Sequence, residues 1–124
     1  MSLILLDSKK KFIDATGGTI TTSGNYRIHT FNSNADFEVL KAPAGKTLEY
    51  LIVAGGGGGG GAAAASSTTG GGGGAGGLKS AVGIVPSVQI YSIVVGGGGA
   101  GGANANGSNG GSGVDSSFNS VISS

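Results

Sequence analysis

The chain is expected to be all-β, a small β-sandwich-like core carrying packed glycine-rich segments. Three observations lead there. First, two short apolar runs, Tyr50-Leu51-Ile52-Val53-Ala54 and Tyr91-Ser92-Ile93-Val94-Val95, each stop in a wall of glycine; aligned over residues 50–62 and 91–103, ten of thirteen positions are identical. Such runs read as buried strands, and a copy 41 residues further on reads as one unit used twice. Second, the remaining apolar residues sit in short alternating pieces, and no 3.6-residue apolar period persists for ten positions. Third, 25 of the 29 glycines fall within residues 55–113, too dense for helix.

Taken in order, residues 1–13 read as an arm, residues 14–54 as a β-rich core, and residues 55–124 as a glycine-rich region with strands at about 88–95 and 116–122. The arm joins a brief apolar strand, Leu3-Ile4-Leu5-Leu6, to a basic cluster, Lys9-Lys10-Lys11, which is expected to be a solvated turn. The apolar run is too short for a signal core, and the lysines follow it instead of preceding it.

Within the core, Thr19-Ile20-Thr21-Thr22 leads to a turn at Ser23-Gly24-Asn25. The next strand, residues 26–31, places Tyr26, Ile28 and Thr30 on one face. Asn32-Ser33-Asn34 is turn chemistry, because short polar side chains bond their own backbone. Residues 36–40 alternate again, and Pro43 and Gly45 punctuate the loop before a longer strand at residues 47–54.

Eleven of the thirteen charged residues lie at or before Glu49. The net charge of +1 gives no electrostatic reason for nucleic acid or acidic membrane as a partner. No run of about 20 large apolar residues is present, so no membrane insertion is expected. The absence of cysteine excludes disulfides and thiolate metal sites. An apolar share of 38% at so low a charge does not fit intrinsic disorder.

The glycine runs imitate several known motifs. Gly55-x-Gly57-x-x-Gly60 and Gly96-x-Gly98-x-x-Gly101 satisfy the dinucleotide fingerprint, but a run of glycines forces that match. The chemistry needs a helix start after the glycines and an acid about 20 residues on. Residues 62–65 would give about one helical turn before the next glycines, and no acid lies between Glu49 and Asp115. At Gly76-Gly77-Leu78-Lys79-Ser80 the leucine breaks the Gly-Lys-Ser junction of a phosphate loop. Collagen fails for want of a strict three-residue period and of proline. A flexible linker is the remaining rival, but the runs abut apolar strands with no polar spacer.

Ordered glycine demands compensation for its backbone entropy. Segments without side chains can stack as extended three-residue-per-turn helices and hydrogen-bond to one another. Residues 55–61, 70–77 and 96–102 are expected to pack in this way, with neighbouring subunits contributing.

The sole histidine, His29, is the one residue that invites a catalytic reading. It has Asp36 and Glu38 nearby in sequence, but nothing in the spacing marks them as partners. A half-packed strand histidine is expected instead. No catalytic, cofactor-binding or metal residue is assigned, and the chain is not expected to be an enzyme.

Residues 16–31, Thr-Gly-Gly-Thr-Ile-Thr-Thr-Ser-Gly-Asn-Tyr-Arg-Ile-His-Thr-Phe, then residues 50–54 with their glycine tract, residues 72–77, residues 91–102, and Asn109-Gly110-Gly111 before Ser116-Ser117-Phe118 form an ordered series. Over about residues 14–122 it resembles the glycine-rich domain of bacteriophage tail-fibre and other virion proteins. The resemblance implies a non-enzymatic virion structural protein, a module of a tail fibre or similar appendage, made in the host cytoplasm without a signal peptide. It implies a homo-oligomer, with a trimer favoured, that contacts other virion proteins; residues 1–11 are expected to dock on a larger particle protein. The chain is also similar to tail-fibre tip adhesins, in which loops between stacked glycine segments contact the host. The alternatives are therefore a receptor-binding tip, with residues 104–109 touching a host surface receptor, and a capsid decoration or head-fibre protein. Residues 62–69 and 83–87 are the sole comparable insertions, and their brevity favours the structural role.

Overall fold

In a computed structural model, the protein is all-strand and antiparallel, as the alternating sequence requires; residues 12–63, 69–103, 107–119 and, as backbone, 121–123 are described. Residues 1–11 of the arm, residues 64–68, residues 104–106, and residues 120 and 124 lie outside them.

The main sheet has five strands in the order β1 (Asp14–Thr16), β4 (Ala35–Lys41), β7 (Ile90–Val94), β8 (Ser116–Phe118) and β9 (Val121–Ser123). Two two-stranded ribbons accompany it: β2 (Thr19–Ser23) with β3 (Tyr26–Thr30), and β5 (Leu48–Val53) with β6 (Leu78–Ile84). The β2–β3 hairpin turns through a two-residue loop with Gly24 first, at φ 55°, a turn whose twist matches that of the flanking strands.

Strand β4 explains the core. Phe37 and Val39 point inward while Asp36 is exposed, and the register sets Phe37 opposite Tyr91 and Val39 opposite Ala15. With Ile13 they form the buried cluster, against which Phe31, Leu48, Ile93 and Phe118 pack. The Phe37 ring meets those of Phe31, Tyr91 and Phe118 at centroid distances of 6.3, 6.2 and 6.3 Å. The edge-on contact of His29 with Phe37 (5.0 Å) and the Tyr50–Phe118 contact (5.6 Å) bring both ribbons against this one face. Because β4, β7 and β8 are neighbours, the main sheet joins the charged first third of the chain to its glycine-rich remainder.

Three features differ from the sequence reading. Strand β5 is not buried on both faces: Ile52 is inside, whereas Leu51 and Val53 are exposed, because β5 lies in a ribbon with one free face. Strand β6 was not anticipated; Gly83 interrupts its apolar alternation, yet Val53 pairs with Leu78 and Leu51 with Ser80. The stretch read as one strand over 116–122 is a hairpin, turned at Asn119 with φ 53°, a conformation asparagine tolerates better than most side chains.

Tyr91 ties the loop ahead of β7 to its own strand: its hydroxyl accepts from the Ser87 amide at 2.8 Å and donates to the Ser87 carbonyl at 3.2 Å. Tyr91→Phe keeps the ring and strands that amide. The expected result is a loss of about 1 kcal/mol, read from chemical denaturation.

Candidate functional site

The glycine runs form a bundle of four extended segments, residues 54–61, 70–77, 96–102 and 108–114. Their hydrogen bonds recur every third residue, the repeat of a three-residue-per-turn helix. In the first segment the three residue classes serve three different neighbours. The amides of Ala54, Gly57 and Gly60 donate to the carbonyls of Gly77, Gly74 and Gly71 (2.8–2.9 Å). Those of Gly55, Gly58 and Gly61 donate to Val114, Gly111 and Ser108 (2.8–3.0 Å). The carbonyls of Gly56 and Gly59 accept from Gly99 and Gly102, both at 2.8 Å. The third and fourth segments close on each other through Gly111 to Ala100 and Val114 to Gly97, at 2.7 and 2.9 Å.

The first segment is thus the axis, with the second and fourth running antiparallel and the third parallel to it. The three segments read from sequence are packed together, and all come from one chain. The fourth was missed: Ser108-Asn109-Gly110-Gly111-Ser112-Gly113-Val114 has the composition of a turn-rich linker, and nothing local reveals that its amides and carbonyls face the axis.

Close approach decides which positions must be glycine. A Cβ on Gly55, Gly58 or Gly61 would overlap the carbonyl oxygens of Gly97, Ala100 or Ala103 respectively. In the third segment Gly96, Gly99 and Gly102 meet the carbonyls of Val114, Gly111 and Ser108 in the same manner. These two triplets coincide under the 41-residue repeat, so the repeated unit is a strand followed by a glycine segment in one register. Outward positions such as Gly72 and Gly74 have no atom within 4 Å of an added Cβ, and residues with side chains (Ala75, Ala100, Ser112) fall between the obligatory glycines.

At the strand junctions, side chains take over from the ladder. The Val95 amide donates to Asn34 Oδ1 at 2.8 Å, and the Gly96 amide to Ser116 Oγ at 2.9 Å. Ser116, buried in the apolar layer, thereby spends its hydroxyl at the point where β7 becomes a glycine segment.

The first and third segments lead away from β5 and β7, and the second and fourth return to β6 and β8. Ala63 and Thr69, at the described ends of one connection, therefore meet Gly107, Ser108 and Asn109 of the other at the end of the bundle remote from the sheet. Between them lies a recess of about 570 Å³ whose side chains come from Ala63, Thr69, Ser108 and Asn109, with glycine backbone supplying the rest. This lining holds hydroxyl, amide and peptide groups and no ionisable side chain, so it can exchange hydrogen bonds with an uncharged polar ligand. Of the loop anticipated to meet a receptor, Gly107, Ser108 and Asn109 lie at this end; residues 104–106 are outside the described residues.

His29 sits far from the recess, in β3. Its Nδ1–H donates to the Gly17 carbonyl at 2.8 Å, and its ring edge packs on Phe37. Both contacts position a hairpin on the core. The glycines that imitate a dinucleotide loop have already spent the amides of Gly55, Gly57, Gly58 and Gly60 on the bundle; a phosphate cradle needs such amides free. Among the described residues, no group of three His, Asp or Glu side chains is placed to hold a metal ion, and no helix is long and apolar enough to cross a membrane.

A family model described as a glycine-rich domain matches residues 30–124. The chain belongs to the glycine-rich domain family. The glycine-rich domain match takes in β4 to β9 and all four glycine segments, leaving β1, β2 and most of β3 outside it. Neither a curated protein nor a solved structure matches the chain.

Proposed function

We propose that the protein is a non-enzymatic structural component of a bacteriophage particle, the glycine-rich module of a tail fibre or similar appendage. The observation that carries this reading is the four-segment glycine bundle. Its rows of peptide hydrogen bonds make a stiff projection out of backbone, and the chemistry it offers is mechanical. In this role the molecule works as a homo-oligomer, a trimer by preference, within the virion. An apolar ribbon face supports association: Leu51, Val53, Leu78 and Val82 lie on one side of β5–β6 and are 65, 52, 66 and 74% exposed, a contiguous patch of the kind that marks interfaces. The expected result of a solution-mass measurement is three copies per particle; a strictly monomeric protein at high concentration removes the oligomer.

A second reading is favoured by the remote end of the bundle. Two connections meeting around a neutral, hydroxyl- and amide-bearing recess suit a tip that binds a cell-surface glycan or protein. Binding of the purified protein to host cells, abolished by Asn109→Ala and Thr69→Ala together, would select the tip over the structural role. Labelling that places the protein on the head instead of the tail would select a capsid decoration.

A further inference from the structure

The 41-residue repeat lets the two glycine units be compared position by position. In the first, the amides of Ala54, Gly57 and Gly60 form a row that donates to the second segment. Their counterparts in the other unit are Val95, Gly98 and Gly101. That row begins in the same way: Asn34 Oδ1 accepts from Val95 at 2.8 Å, as the Gly77 carbonyl accepts from Ala54. It then runs out of acceptors. Among the described residues no group takes the amides of Gly98 and Gly101, and both residues are exposed. The third segment's other rows are engaged, with the first segment through Gly99 and Gly102 and with the fourth through Gly97 and Ala100. Two donors about 9 Å apart therefore stand at the position equivalent to the one that the second segment holds on the first.

We propose that this position is taken by the second segment of another copy of the chain, whose Ala75 and Gly72 carbonyls accept from Gly98 and Gly101. Three observations name the occupant. Those two carbonyls stand three residues apart, the spacing of the donors, and accept from no described backbone amide. Residues 70–75 are exposed, and a Cβ on Gly71 or Gly72 would meet no atom within 4 Å, so a further backbone can approach as closely as those inside the bundle. Direction fits as well. The second segment runs antiparallel to the first, and the third runs parallel to the first. Copies related by an axis along the bundle thus bring the second segment of one antiparallel to the third of the next, the arrangement already present in the first unit. Because the contact joins two different surfaces, it closes as a ring, and a ring of three matches the trimer. The inference rests on the homo-oligomer of the proposed function and supplies its interface.

The test removes the two donors from the full chain. Proline has no amide hydrogen, yet it favours the extended three-residue-per-turn backbone. Neither Gly98 nor Gly101 has a positive φ, and a Cβ there would lie 3.5 and 3.8 Å from its nearest neighbour. The native chain is expected to sediment as a trimer, and Gly98→Pro/Gly101→Pro as a monomer whose other bundle amides stay protected. A variant that remains trimeric would overturn this interface and leave the oligomer standing; a monomeric native chain would remove both. Where the variant does not fold, hydrogen exchange on the native chain decides. The Gly98 and Gly101 amides are expected to exchange at least about tenfold faster once the trimer is diluted to monomer, while those of Gly57 and Gly60 do not change. Exchange at Gly98 and Gly101 that is the same at both concentrations would overturn the proposal, since those amides would then be bare or satisfied within one copy.

Discussion

Gly58→Ala is expected to open the glycine bundle, whereas Gly74→Ala is expected to leave it intact. The two residues have the same type and the same extended backbone, and differ in what a methyl group would meet. Gly58 lies in the segment that touches all three others, and a methyl group there would run into the Ala100 carbonyl. Relief requires the first and third segments to separate, which breaks the hydrogen bonds from Gly99 to Gly56 and from Gly102 to Gly59. The cost is about 3 kcal/mol or more, at the upper end of overpacking penalties. At Gly74 no atom lies within 4 Å of the added Cβ, and restricting the unfolded chain contributes about 0.4–1 kcal/mol in favour of the variant. Thermal unfolding with hydrogen exchange of the bundle amides measures both. Indistinguishable variants would mean that the segments are not packed at this spacing.

Phe37→Ala is expected to be the most damaging change in the sheet layer. The side chain is buried at the centre of the core and meets the rings of His29, Phe31, Tyr91 and Phe118. Truncation removes the contact on which the β2–β3 ribbon, β7 and β8 converge, and leaves a cavity that these three elements would have to move to fill. A loss of about 3–5 kcal/mol follows, a fall in Tm of about 10–20 °C for a domain of this size. A loss below about 1 kcal/mol would show that the ribbons do not depend on this face.

The two predictions draw on different kinds of order, and they were unequally legible. The alternation around Phe37 and Val39 is written in β4, and period two is enough to say which side chains go inside. Tyr50 and Tyr91 similarly announce the strands that feed the glycine segments. The bundle's stacking was legible in outline, because glycine against apolar strands leaves backbone contact as the available source of order. Which residues of its three-residue period face which neighbour was not. A run of seven glycines carries no marks, and the alternation of obligatory and open positions becomes visible once Gly58 is seen against Ala100 and Gly74 against empty space. The recess around Thr69, Ser108 and Asn109 was half legible: residues 104–109 were singled out as a loop, but the meeting of Ser108 and Asn109 with Ala63 and Thr69 depends on which segments run together.

Composition and short-range pattern thus determined by themselves that the molecule is all-β, that a strand-plus-glycine unit occurs twice, and that bare backbone must pack on bare backbone. Those are consequences of side-chain size and spacing, which a linear sequence states outright. Tertiary structure alone decided that the first glycine segment is the axis, that residues 108–114 complete the bundle, that β6 pairs with β5, and that β4 draws β7 and β8 into one sheet. Each of these is a choice of partner between distant stretches of chain, and peptide groups are chemically identical, so their identity could not say which of them would meet.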